Sequence, residues 1–145
     1  MRQRFGLMLL LGLLTLPFAV SAEQVLMPRR AVEAAADAAP APVTGLFDVQ
    51  VRSAGHDADG VYLNTEADYR DQRNLTVAMS LTIAARLTQQ YGQAPEEFFR
   101  NKHLIVSGQA QRVKVWFLSD GHVTDKYYFQ THVDVTDPAQ LQLAN

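Results

Sequence analysis

The sequence predicts a mainly β domain: a five-stranded Greek-key barrel with one helix between its third and fourth strands. Three observations predict it. Apolar residues alternate at period two in short runs separated by polar or glycine-containing turns. The period changes to helical spacing once, at residue 81. The strand pattern then returns in long runs on either side of an Asp-Gly turn. The 145 residues are enough for one domain and exclude large barrels and multidomain enzymes.

Residues 1–22 read as an address. Arg2 and Arg4 give a positive start, Leu7 to Leu16 an apolar run, and Val20-Ser21-Ala22 a small-residue cut site. That order defines a secretory signal peptide, with cleavage expected after Ala22. The run is shorter than the roughly 20 residues a membrane anchor needs. The expected location is periplasmic or secreted, in a bacterium, with no stable membrane insertion. The chain has no cysteine, which excludes disulfides, thiolate metal sites and lipidation at the cut. Of 13 basic residues the leader removes two, leaving 11 against 15 acidic ones, a net of −4. Nucleic-acid binders normally show the opposite balance.

Residues 23–44 read as a flexible Ala/Pro-rich linker, because few large apolar side chains are available to offset ordering entropy. The folded domain is expected over residues 45–145. Phe47, Val49 and Val51 share one side of a first strand over Leu46–Val51. Ser53 to Gly60 is a polar turn, and Val61-Tyr62-Leu63 a short second strand. After a charged loop over Thr65–Arg73, Leu75, Val77 and Met79 line a third strand, with Thr76, Ala78 and Ser80 on its other face. Leu81, Ala84, Ala85 and Leu87 follow helical spacing, with Ser80 or Thr82 as cap and Gly92 as stop. Pro95 opens a second helical turn, with Glu96 and Glu97 where the helix dipole favours acids and Phe98 and Phe99 as its docking side. Leu104 and Val106 begin a fourth strand that Gly108 bulges or bends. Val113, Val115 and Phe117 continue it to the Ser119–His122 turn. Phe129, Thr131, Val133 and Val135 line the last long strand, which Asp137-Pro138 ends.

Three strands, a helix and a long hairpin match the order of an OB-fold. Several runs carry a resemblance as well: Val61-Tyr62-Leu63-Asn64, Asp68-Tyr69-Arg70-Asp71, Asn74-Leu75-Thr76-Val77, Glu97-Phe98-Phe99, the Lys102–Gly108 stretch and Val135–Leu141. Over residues 45–143 the chain resembles small exported bacterial OB-fold proteins and accessory OB domains. The resemblance implies an OB-fold and a nucleic-acid-binding-like character. The stretch from Trp116 to Lys126 is longer than the tight turn expected at that hairpin.

No catalytic signature is present. His56, Asp57 and Asp59 read as a solvated turn, because Asp and Gly favour turns for local reasons. His103 and His132 fall on strands that could bring them together, but at no metal-ligand spacing. There is no nucleophile elbow and no glycine-rich phosphate loop. Glu96 and Glu97 are adjacent and diverge on a helix, which does not suit an acid/base pair. No enzyme activity, cofactor or metal is expected.

The expected binding surface is the hairpin. Arg112, Lys114, Trp116, Lys126, Tyr127 and Tyr128 combine cations with flat rings, the pairing that single-stranded nucleic acid uses. Tyr69, in the middle of the charged loop, is the expected anchor there, since aromatic residues dominate interface hot spots. The expected function is a non-catalytic module that recognises an envelope protein partner or extended ligand through Arg112, Lys114, Trp116, Lys126, Tyr127 and Tyr69. Binding of a single-stranded oligonucleotide by the same residues is the alternative.

Overall fold

The computed structural model describes residues 23–145; the expected leader lies outside them. The chain is mainly β. Its strands are β1 (Val25–Leu26), β2 (Val43–Gln50), β3 (Ser53–His56), β4 (Gly60–Asn64), β5 (Leu75–Ser80), β6 (His103–Ser119), β7 (His122–Val135) and β8 (Leu141–Leu143). Its helices are α1 (Pro28–Ala38), α2 (Leu81–Tyr91) and α3 (Pro95–Phe98), with a 3-10 turn at Pro138–Gln140. The mixed sheet runs β1-β2-β6-β7-β5-β4-β3, and β8 adds to β6. β1 with β2 and β5 with β7 are parallel; the other pairs are antiparallel.

Two sequence expectations need correction. Among the described residues there are eight strands rather than five, and the hydrogen-bonded ladder ends at β3 without closing into a ring. The extra strands arise because Ser53–His56, expected within a polar turn over Ser53–Gly60, pairs with β4 instead, and because both flanks of the domain add short pieces. At Val51-Arg52 the backbone changes partner. Val51 donates to the Lys102 carbonyl at 2.9 Å, while Arg52 donates to the Asn64 carbonyl at 2.8 Å. The second correction concerns residues 23–44, which are not a tether. Pro28 starts α1, and Ala31 and Ala35, one turn apart, are fully buried against the sheet. Their methyl groups let the helix lie close to the strands, so burial here comes from close approach rather than from large side chains.

The core follows from strand alternation. Phe47, Val49 and Val51 from the first run meet Leu63, Leu75, Val77, Leu104, Val106 and Val133, all fully buried. Ile83, Ala84 and Leu87 on α2 cover one end of this core. The cap and stop of α2 are the expected ones. The Ser80 hydroxyl accepts from the Ile83 amide at 3.3 Å, and Gly92, at φ 74°, donates to the Thr88 carbonyl at 2.8 Å. Beyond α2, Tyr91 stacks on Phe98 at 4.0 Å and Phe99 is fully buried.

Gly108 does not bulge the strand: β6 stays in register with β2 straight through it. A Cβ there would lie 3.0 Å from Gln140 Nε2 and 3.1 Å from Val133 Cγ1, so the glycine permits close packing. The irregularity falls between Trp116 and Leu118. The β6–β7 turn is the expected Asp-Gly turn at Ser119–His122. Ser119 pairs with His122, and Asp120 and Gly121 both take positive φ, 49° and 76°, as a two-residue hairpin of right-handed twist requires. The long insertion is therefore extended strand. It forms a β-arm that runs past the pairing of β6 with β2 and of β7 with β5. No helix among the described residues is long and apolar enough to cross a membrane.

Docking of α1 gives a direct test. Ala35→Lys forces a long charged chain into a filled space and is expected to destabilise the protein by about 1–3 kcal/mol in urea unfolding. An unchanged midpoint would mean that α1 contributes nothing to the fold.

Candidate ligand-binding cleft

The outward face of the central strands carries a polar row. Ser53, Asn64, Thr76, His132 and Gln111 are successive register partners across β3, β4, β5, β7 and β6. Alternation that sends Leu63, Leu75, Val77 and Val133 into the core sends these residues the other way. Two walls rise beside the row. One is the Thr65–Arg73 loop, with Ala67 and Tyr69; the other is the β-arm, with Val115, Leu118 and Tyr128. Between them lies a cleft of about 780 Å³, within the range of about 300–1,000 Å³ usual for small-ligand sites.

Asn74 sets the first wall. It is buried, and its side-chain amide nitrogen donates to Asn64 Oδ1 (3.2 Å), Thr76 Oγ1 (2.9 Å) and the Tyr69 carbonyl (3.2 Å). Its oxygen accepts from the Glu66 amide at 3.1 Å. One side chain thus ties both ends and the middle of the loop to the cleft floor. The charged residues of this loop pair locally: Arg73 makes a two-point contact with Asp71 at 3.0 and 2.7 Å. That contact and the Arg73 amide hold the Asp71 carboxyl down at about 2. Arg70 lies over the Tyr69 ring, 4.6 Å from its centroid.

The floor has its own hydrogen-bond relay. His132 Nε2 donates to Gln130 Oε1 at 2.7 Å, and Gln130 Nε2 donates to the Tyr128 hydroxyl at 2.7 Å. Burial pushes the His132 imidazole below its ordinary value, against the opposing pull of Asp134, so the ring favours its neutral form. Burial likewise raises the Tyr62 and Tyr128 phenols, which remain donors. The Tyr62 hydroxyl donates to Asp57 Oδ1 at 3.2 Å. The same carboxylate accepts from the Asp59 and Gly60 amides, which lower its pKa and close the turn. His56, at the cleft edge, pairs through Nδ1 with Glu96 Oε1 at 2.9 Å. Glu96 is therefore a tie between α3 and β3 as well as a first-turn acid.

The residues singled out from the sequence divide between two surfaces. Tyr69 lines the cleft. Arg112, Lys114, Trp116 and Tyr127 do come together, but on the opposite face of the arm. Trp116 packs edge-on to Tyr127 at 5.2 Å, Lys114 lies 4.5 Å from the Tyr127 ring, and Arg112 lies 3.6 Å above Phe129. Lys126 sits apart in the irregular stretch, where its amide donates to Thr124 Oγ1. His103 and His132 do not meet. His103 bonds to Asp48 at 2.9 Å, and His132 pairs in register with Gln111, eight residues further along β6. Among the described residues no group of three or more His, Cys, Asp or Glu could hold a metal ion.

Sequence reasoning missed Tyr62, Asn64, Thr76, Gln130 and His132 as a set. Their signal was present: each is the polar alternate in a strand whose other face is apolar. What was missing was the register that aligns those alternates.

No family model and no curated protein matches the chain. Among solved structures, one similar chain is assigned as an aspartyl-tRNA synthetase from Leishmania major Friedlin, with a TM-score of 0.42 and 9% identity over 91% of this chain. This chain spans 23% of that protein.

Two measurements check the cleft. Asn74→Ala leaves several buried groups without partners and is expected to destabilise the protein by about 2–3 kcal/mol, with loss of amide protection across residues 65–73. The second concerns His132. The unfolded-state imidazole titrates near 6.5 and the folded one lower, so the unfolded chain binds more protons as pH falls. Stability should therefore drop from about pH 6.5 downward, and His132→Gln should flatten that slope in urea midpoints taken between pH 7 and 5.

Proposed function

We propose that this chain is a non-catalytic OB-type binding module, exported to the bacterial envelope, that takes an extended ligand in the cleft. The leader pattern of residues 1–22 supports export. Three features support the OB reading. β2 and β3, separated by two residues, can be counted as halves of one bent first strand. With the two- and three-residue strands β1 and β8 set aside, that leaves five principal strands, with α2 between the third and fourth. The cleft also lies over the second and third strands, the face such folds use, with the ribbon that joins strands four and five as one wall; its other wall is the loop between strands two and three.

The observation that carries the proposal is the cross-strand row of uncharged hydrogen-bonding groups, flanked by Tyr62, Tyr69 and Tyr128. Convergent polar groups on a concave surface are the mark of a ligand site. Their uncharged donors and acceptors support recognition as the role.

Oligonucleotide binding through Arg112, Lys114, Trp116 and Tyr127 is the second reading, favoured by their clustering on one face of the arm. Against it, the rings of that face are already partnered by the protein's own cations. Amide spectra recorded with single-stranded DNA, mixed peptides and neutral oligosaccharides test the two. At least one class is expected to move cleft amides saturably, while Trp116 fluorescence stays flat with DNA at low salt. Quenching of Trp116 that vanishes with added salt and in Lys114→Ala would transfer the site to the arm's outer face.

A further inference from the structure

We propose that the cleft is built for an uncharged oligosaccharide, an assignment that rests on the cleft being the chain's binding site. Three features carry it.

The first is backbone pairing. Asn64, Thr76 and His132, at the centre of the floor, each lie on a strand paired on both sides there, and the free edges of β3 and of residues 122–130 in β7 stand at the cleft's margins. A ligand lying over that centre meets side chains only. An extended peptide gains most of its affinity by adding to a free strand edge, which the centre of this floor does not offer.

The second is charge. No lysine or arginine lines the cleft, and Asp57 does. Arg70 stands at the margin over Tyr69 and beside the Tyr128 hydroxyl, so the charged groups of the rim are one of each sign. A polyanion needs a row of cations, and no such row is present.

The third is the pattern of donors and acceptors. The Tyr128 oxygen accepts from Gln130, which leaves its O–H to donate outward. His132 donates through Nε2, which leaves Nδ1 as an acceptor on its neutral ring. A donor and an acceptor therefore stand on one strand face, two relay steps apart. Hydroxyl groups both give and accept hydrogen bonds, and a chain of pyranose rings presents them in rows. Tyr62 and Tyr69 add flat apolar surfaces on which the C–H faces of such rings pack.

The experiment titrates the purified protein with chitotetraose, cellotetraose and maltotetraose while amide spectra are recorded. Saturable shifts at residues 62–64, 69, 76 and 128–132 with at least one sugar, unchanged between low and high salt, are the expected result. Tyr128→Phe keeps the ring and removes the donor, and should weaken that binding about five- to tenfold; Trp116→Ala should leave it intact. Cleft shifts with peptides or DNA but with none of the sugars would overturn the ligand class and leave the cleft as the binding site. No cleft response to any of the three classes would overturn both. Binding that Tyr128→Phe leaves unchanged would overturn the role given to the relay.

Discussion

Asn74 sits between β4 and β5 with almost no access to water, and every polar atom of its side chain needs a partner inside the protein. It finds them in Asn64, Thr76, Glu66 and the Tyr69 carbonyl. Satisfying that one amide fixes where the loop leaves the sheet, where it returns, and where Tyr69 stands. It also occupies the inner end of the polar row, so Asn64 and Thr76 face the cleft as a rigid pair, while the His132 Nδ1 and the Tyr128 hydroxyl keep hydrogen-bonding capacity beyond the relay. The cleft wall is thus held by a buried network, where hydrogen bonds are strong and unmade ones costly. The exposed ion pairs of the same loop matter less, because water screens them.

The β-arm shows how one ribbon serves two faces. Successive side chains alternate, so Val115 and Tyr128 look into the cleft while Lys114, Trp116 and Tyr127 look away. A cluster of cations and rings read along the chain contains both sets. On the outer face the cations cover the rings beside them, and this shields apolar surface on a ribbon that has no sheet behind it.

Much of the fold was legible because it is written in local periodicity. The strands around Phe47–Val51, Leu75–Met79 and Phe129–Val135, the cap at Ser80, the stop at Gly92 and the Asp120-Gly121 turn all follow from spacing or backbone preference. α1 was not legible as part of the domain. Alanines at 31 and 35 give no apolar stripe, and only the proximity of the strands turns them into core. β3 was hidden too, because Ser53–His56 carries the polar and glycine residues of a turn and becomes a strand only through its pairing with β4. For the site, Tyr69 was found because an aromatic ring in a charged loop is conspicuous. The floor residues are ordinary polar alternates until register places Asn64, Thr76 and His132 side by side.

The parallel pairing of β5 with β7 has a kinetic side. Thr76 and His132 are neighbours across that pair, yet the whole of α2, α3, β6 and the arm lies between them in the chain. Non-local contacts of this kind close late, because loop entropy must be overcome before they reward it. Three of the cleft groups, Tyr128, Gln130 and His132, arrive on the strand that completes the pairing. A chain still emerging from synthesis can pair β3, β4 and β5 and form α2 without owning a cleft. The cleft is therefore completed late in folding, and a molecule in which β7 has not yet docked on β5 lacks it.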